Sequence, residues 1–377
     1  PNGPDTDSLP TTRCSLPTAT FDKAYPPMVK QPHQIAVIGA GPAGAATAMG
    51  LKRMGYQVCV IYWPRAHHSC EGLSARVLEG LSSVGFEQAV AQLPAPSPRT
   101  VSWNGRTSAA NTETLVLRQE LDRALLQELQ RNGIELIRGK LQQQQRVDGG
   151  YRLQLTDADK RSRQLRVDFL VDARGRQSPG LNHKGESSRS GVFNSSRAVP
   201  VRDTFALVQC WQLPKEKAGD RLSASHAISL EDGWAWIAHL SSGLCFTQLA
   251  VDSADKKAMK QQFQQRLQDI DQSAVLLQGA KSVGPLQGRL CSPQLAVDPV
   301  GPNHIAVGDA AMAVDPLSGN GVFQALSTAL LAPSVINTLI QRPQQAELAM
   351  AFYRQRVEHA FQRFTRIGRD FYRSESR

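Results

Sequence analysis

The sequence predicts an α/β protein: a discontinuous Rossmann-like dinucleotide-binding domain interrupted by a second domain built on an antiparallel sheet. Three observations carry this. A buried strand, a glycine turn, a small-residue helix and a second buried strand follow one another between Gln34 and Ile61. A second strand and glycine loop, Ile305 to Gly321, stands far downstream. Between them, from Thr204 to Leu240, apolar residues alternate as they do in strands.

Composition bounds the function. A chain of 377 residues has room for two or three cores, or for one discontinuous domain with a companion. With 41% hydrophobic and 20% charged residues, neither a disordered nor a fibrous chain fits. No run of eighteen apolar residues occurs, so no transmembrane segment is expected and the protein reads as soluble. The net charge of +10 predicts attraction to an anion, such as a phosphorylated cofactor or an acidic protein. Nucleic acid is set aside, because no helix-turn-helix, RNA-binding or finger pattern accompanies the charge. Cys14, Cys59, Cys70, Cys210, Cys245 and Cys291 form no C-x-x-C pair and read as reduced thiols of a cytoplasmic protein. His67, His68 and His226 have no ligand spacing, so no metal site is expected. Residues 1–32, rich in Pro, Thr and Ser, read as an irregular N-terminal extension.

The first element, Gln34–Ile38, leads into Gly39-Ala40-Gly41-Pro42-Ala43-Gly44. Gly39 permits the tight turn, Gly41 lets backbone approach a pyrophosphate, and Gly44 lets the helix pack close to the strand. Pro42 and Ala43 belong to the same cofactor-binding turn, and the N-terminal N–H groups of the helix that follows face the phosphates. The following strand ends in Tyr62, where an Asp or Glu usually binds the ribose hydroxyls. A weakened cofactor anchor is therefore expected.

Beyond it, Leu73, Val77, Leu78 and Leu81 recur at helical spacing, and Val116 to Leu129 reads as a second amphipathic helix. A strand Ile134–Ile137, a polar run Gln142 to Gln145, and a hairpin turn Asp148-Gly149-Gly150 follow. The buried strand Val167–Val171 then runs into Asp172-Ala173-Arg174-Gly175. Three further strands, Thr204 to Leu213, Leu222 to Leu230 and Asp232 to Leu240, precede a helix from Ala258 to Leu277 whose apolar stripe packs on the sheet. Trp234 and Trp236, two residues apart, project to one side of their strand.

In the downstream block, a buried strand delivers Gly308 and Asp309, and the loop Pro316-Leu317-Ser318-Gly319-Asn320-Gly321 opens a long helix to about Leu339. Here the chain resembles the FAD-dependent monooxygenase superfamily with the aromatic-hydroxylase fold, over roughly residues 33–183 and 283–377. The resemblance implies that Asp309 bonds the ribityl or pyrophosphate region and that the Pro316 to Gly321 loop presents backbone amides to the isoalloxazine. It also implies that Arg118 and the Asp172 turn supply the second and third FAD signatures. A helix N-terminus there stabilises the negative charge of reduced flavin. The expected organisation is residues 1–32 as extension, 33–185 and 282–345 as the two parts of the FAD domain, 186–281 as substrate domain, and 346–377 as a basic amphipathic helix.

The Trp234 to Leu240 stretch resembles the tryptophan-rich strand of tryptophan halogenases. Two departures stand out: His239 replaces that pattern's proline, and no lysine occurs between Lys52 and Lys140, the interval that carries the halogenase lysine. Within this branch the Glu71 to Arg76 stretch and the basic terminal helix are similar to the flavoproteins that mature cysteine tryptophylquinone in quinoprotein oxidases. That resemblance implies an oxidoreductase using FAD, NAD(P)H and O2 to hydroxylate a tryptophan of a quinoprotein oxidase precursor. His239 is then the acid/base candidate, with Trp234 and Trp236 as catalytic-cavity wall. The alternatives are a flavin hydroxylase or reductase of a free aromatic or isoprenoid molecule, and a non-enzymatic assembly factor.

Overall fold

The structure, a computed structural model, describes residues 34–179, 197–198, 204–218, 222–252 and 256–375; the expected extension over 1–32, with Cys14, lies outside them. Strand β1 (Gln34–Ile38), helix α1 (Pro42–Arg53) and strand β2 (Gln57–Tyr62) form the expected unit. Ala45, Ala46 and Ala48 give α1 a smooth buried face, so it lies tight against the sheet. β1 and β2 run parallel, β10 (Phe169–Asp172) joins β1 on its other side, and β19 (His304–Ala306) joins β10, all parallel. β7 (Glu135–Val147) pairs parallel with β2, and β8 (Gly150–Asp157) and β9 (Ser162–Val167) continue antiparallel from it. With β18 (Val300–Gly301) at the other edge this makes an eight-stranded sheet, order β18-β19-β10-β1-β2-β7-β8-β9. The chain leaves this sheet after β10 and returns at β18, so the domain is discontinuous, as expected. The Gln142 to Gln145 run is part of β7, alternating along an antiparallel partner.

The second sheet has seven strands: β16 (Lys281–Leu290), β12 (Thr204–Gln212), β15 (Leu244–Asp252), β14 (Gly233–His239), β13 (Ala224–Leu230), β4 (Arg99–Trp103) and β5 (Arg106–Ala109) in that order. Its membership departs from the 186–281 boundary at both ends. β16 pairs with β12, and the β4–β5 hairpin, from within the expected FAD segment, pairs with β13. The hairpin turns on Asn104 (φ 52°) and Gly105 (φ 68°), a two-residue turn whose Asn-Gly signature was present in the sequence.

Two small sheets complete the strands: β3 (Cys70–Leu73) with β6 (Thr114–Leu117), and β11 (Arg197–Ala198) with β17 (Gln294–Ala296) and β20 (Met312–Ala313). β3 and β6 take up residues expected in helices, so α2 (Ala75–Val84) starts after Leu73 and, beyond α3 (Glu87–Ala91), α4 starts only at Arg118 (Arg118–Arg131). After the short α5 (Lys215–Ala218), the expected helix Ala258 to Leu277 is two, α6 (Lys256–Gln268) and α7 (Asp271–Leu277). They separate at the extended Ile270, where the buried Ser273 hydroxyl donates to the Leu267 and Ile270 carbonyls.

Helix α8 (Gly321–Gln341) packs on α1, with the Pro333 ring against the space left by Gly50. By length and composition α8 could cross a membrane, but its apolar window is half buried inside the fold, as in the core helix of a globular domain, so it does not show a membrane span. Helix α9 (Ala346–Glu375) lies across α8 and beside the loop before it, with Tyr353 and Val357 buried.

Candidate flavin site between two helix N-termini and an aromatic sheet face

The carboxyl ends of the parallel strands are stitched together by backbone bonds. Gly39 donates to Ile61 O at 2.8 Å, Ala173 to Ile38 O at 2.8 Å, and Val307 to Asp172 O at 2.9 Å. The chain leaves β1 toward β2 on one side, while β10 and β19 lie on the other, so this edge is a topological switch point where α/β sheets bind ligands. Gly39 has φ +109°, and a Cβ there would run into Ala173 O, while a Cβ on Gly44 would run into Gly39 O. Gly41 differs: a Cβ would meet only Arg118 Nη2, at 3.5 Å. Gly39 thus makes the tight turn, Gly44 lets α1 pack close to the strand, and Gly41 leaves its space open.

Helix α1 has no side-chain cap, leaving its first N–H groups to an anion. Arg118 is buried beside this opening, held by Glu71 at 2.5 Å and Asp122 at 3.0 Å, and Asp122 also meets Arg65 at 2.7 Å. Burial opposes the Arg118 charge, but the two carboxylates outweigh it and raise its pKa. Its Nε is buried with no hydrogen-bond partner, a donor in want of an acceptor. An uncapped helix, an open glycine and an orphaned arginine donor fit a dinucleotide pyrophosphate. Tyr62 sits half-buried at the end of β2 with no carboxylate in its place. Beside it, exposed Trp63 lies under Lys140 Nζ, 4.5 Å from the ring centroid, and Arg138, 5.8 Å away. Sequence reasoning missed this aromatic and basic pair, since it depends on β7 lying next to β2.

Asp172 does not belong to the cofactor surface. Its side chain is fully buried, with Oδ1 accepting from Arg174 N and Nε and Oδ2 from Arg174 Nη2 (2.6 Å) and Ser178 Oγ (2.5 Å). Its oxygens are spent on holding the turn after β10.

The downstream block brings the second helix N-terminus to the first. Gly308 (φ +62°) lies where a Cβ would press on Ala43 of α1 at 2.8 Å and Ala325 of α8 at 3.4 Å. Asp309, partly exposed, stands 3.5 Å from Arg176 Nε. Pro316 opens a short turn held by Asp315, whose carboxylate accepts from Leu317 N at 2.9 Å, and Gly319 adopts the left-handed conformation (φ +60°). Asn320 precedes α8 without a side-chain cap, and nothing lies within 4 Å of a Cβ placed on Gly321. A second amide cradle thus faces open space one helix away from the pyrophosphate cradle.

Across that space lies one face of the seven-stranded sheet. Trp234 and Trp236 cluster there with Trp103, Leu317 and Tyr372. Trp234 Nε1 donates to Tyr372 Oη at 3.1 Å, and Tyr372 donates to Asp315 Oδ2 at 3.1 Å. Helix α9 thereby ties the aromatic strand to the glycine loop. Burial raises the pKa of both Asp315 and Tyr372.

His239 is on the other face. Along β14 it alternates with Trp234 and Trp236 and shares a side with Ala235 and Ile237, which pack in the core beneath α6 and α7. Its ring stacks on His226 with centroids 6.5 Å apart, and both line a cavity of about 320 Å³ with Asp271 and Gln272. His226 is bonded to Thr100 Oγ1 at 2.5 Å, and burial lowers its pKa. The expected acid/base role of His239 at the flavin is thus excluded by strand parity, which the sequence already contained. His67 and His68 are exposed and apart from this pair. Among the described residues no cluster of three or more His, Cys, Asp or Glu is arranged for a metal, and Cys59, Cys70, Cys210, Cys245 and Cys291 are free thiols.

Comparison with known proteins agrees with this geometry. Residues 33–361 match the FAD binding domain family. The solved structure of QhpG, a peptidyl tryptophan dihydroxylase essential for tryptophylquinone cofactor biogenesis, is 43% identical with a TM-score of 0.77, over 92% of this chain and 76% of that one. The flavin-dependent halogenase CmlS has the same fold, with a TM-score of 0.75 at 21% identity, over 89% of this chain and 64% of that one. Tryptophan 2-halogenase of Chondromyces crocatus is 25% identical over 91% of this chain and 68% of its own length. The chain is a flavin-dependent oxidoreductase that uses FAD, and it belongs to the FAD-binding family, in the branch that holds the tryptophan halogenases and QhpG.

Proposed function

We propose that the chain is a monooxygenase that hydroxylates a tryptophan side chain of a quinoprotein precursor during tryptophylquinone biogenesis. The observation that carries this is the 43% identity to a peptidyl tryptophan dihydroxylase, combined with an aromatic sheet face opposite the flavin loop. FAD, reduced by NAD(P)H and exposed to O2, supplies the electrophilic oxygen. The protein does the rest. The α1 N-terminus and Arg118 would bind the pyrophosphate, and the amides of Gly319 to Gly321 would hold the flavin ring. Trp234 and Trp236 form an apolar wall that excludes water and orients an incoming indole by ring contact. No lysine stands between Lys52 and Lys140 to capture oxidised halide, so halogenation of free tryptophan is not expected.

Docking of a folded substrate uses the exposed basic face of α9, where Arg356, Arg363, Arg366, Arg369 and Arg373 face solvent. Such a face speeds encounter with an acidic partner. Cofactor binding is weak, because Tyr62 replaces a charge-assisted hydrogen bond of about 1.5–3 kcal/mol, roughly 10- to 150-fold in affinity. Fluorescence titration of apo-protein with FAD should give a micromolar dissociation constant, and a nanomolar one contradicts it. The test of function is co-expression of a quinoprotein precursor with and without this chain, read by mass. Oxygen gained on the tryptophan only with the chain supports the reading. Equal gain in both, or turnover of a free aromatic with the precursor ignored, overturns it. Arg363→Glu with Arg366→Glu should slow the modification and leave FAD affinity unchanged.

A further inference from the structure

Arg99 opens β4, one of the two strands that the sequence had placed in the FAD segment but that pair into the substrate sheet. By alternation it shares a face with Trp103, a member of the aromatic cluster, while the intervening Thr100 points the other way, to His226. Its guanidinium reaches the glycine loop, with Nη1 3.6 Å and Nη2 3.8 Å from a Cβ placed on Gly319. Behind it, Glu113 stands 3.9 Å from Nη1, and is itself buried and hydrogen-bonded by the Ser225 hydroxyl. Arg99 Nε is buried and has no hydrogen-bond partner. A cation is therefore braced from one side by a fixed carboxylate, with donors left over, next to the loop that opens α8.

We propose that Arg99 is the fixed positive charge of the flavin chamber, stabilising the negative charge that the ring gains on reduction. Two electrons and one proton entering the isoalloxazine leave it with one net negative charge. The partial charge of the α8 N-terminus favours that charge, and a full guanidinium charge adjoining the same loop adds to it in a partly dehydrated space. A permanently charged arginine also fits a chamber that must stay cationic without a nucleophilic amine. The proposal rests on the flavin ring lying at the Gly319 to Gly321 loop and is independent of which substrate is oxidised.

The test is anaerobic spectroelectrochemical titration of the FAD-loaded chain, without substrate. Wild type is compared with Arg99→Met, Arg99→Lys and Glu113→Gln, and folding is checked by thermal melting. Loss of the charge in Arg99→Met should weaken reduced relative to oxidised FAD by about tenfold, which lowers the potential by about 30 mV for this two-electron couple. Arg99→Lys should restore most of the wild-type value. Glu113→Gln, which removes the opposing charge, should move the potential upward. If Arg99→Met does not fold, the lysine and Glu113→Gln variants still decide. A potential unchanged in folded Arg99→Met, lowered in Arg99→Lys by as much as in Arg99→Met, or unmoved or lowered in Glu113→Gln overturns the proposal. Because no substrate is present, this failure is separate from a failure of tryptophan hydroxylation, which the precursor's mass reports.

Discussion

The two faces of the seven-stranded sheet are built from the same strands in alternating positions, yet they differ in kind. One face presents Arg99, Trp103, Trp234 and Trp236 to the glycine loop and α9. The other presents Leu207, Ala235, Ile237 and Leu249 to Met259, Phe263 and Leu267 of α6, with His226 and His239 at its margin. The first keeps polar donors and large rings beside open space, and the second is a close-packed aliphatic layer. Residue type therefore does not assign chemistry until the side of the element is known. Asp172 makes the same point in the parallel sheet, where a carboxylate at a strand's carboxyl end is turned inward and neutralised.

The comparison breaks most visibly on the helix face. Phe263→Ala should destabilise the protein by about 3–5 kcal/mol, measured by denaturant unfolding, with FAD affinity of the folded protein unchanged. A fall in FAD affinity at full folding would mean that the two faces are not separate. Next in size is Asp172→Ala, which strands Arg174 and should cost about 3 kcal/mol. Burial resists the Asp172 charge, but Arg174 and Ser178 outweigh it and hold its pKa below the ordinary carboxylate value. A depressed carboxylate stabilises the fold above its unfolded pKa of about 4 and loses that stabilisation as pH falls through the lower folded value. The gap between wild type and Asp172→Ala, followed by thermal melting across pH, should therefore be full at neutral pH and shrink in acid.

On the aromatic face, Trp236→Ala should lower kcat/KM for a precursor by about 30-fold, as loss of a buried aromatic contact does. The smallest effect falls on His239→Ala, whose rate of oxygen insertion should stay within about threefold of wild type. A drop of a hundredfold or more with intact FAD binding would return His239 to the chemistry and overturn the division between faces.

Much of this was legible in the sequence. The turn at Gly39 and the packing contact at Gly44 follow from local needs that the geometry shows, and Gly41 faces open space. The discontinuous domain was legible because Ile305 to Gly321 repeats the strand and glycine pattern that only a parallel sheet's edge requires. The hairpin of β4 and β5 was written in Asn104-Gly105, but its pairing with β13 is long-range and no local pattern reports it. Arg99 lies on that same hairpin, so its place beside the glycine loop depends on the same long-range pairing. Trp63 under Lys140 and Arg138 likewise depends on β7 lying beside β2. The error at His239 was different, since counting residues from Trp236 would have placed it on the opposite side.

On this account, oxygen is delivered to a protein-borne tryptophan from the aromatic face. The most direct measurement is a single turnover of the FAD-loaded, reduced chain with isotopically heavy O2 and a quinoprotein precursor carrying its unprocessed tryptophan, followed by mass analysis of the tryptophan peptide. Heavy oxygen in that peptide, with none in added free tryptophan, is the expected result. Heavy oxygen in free tryptophan or another small aromatic, with an unlabelled precursor, would contradict it.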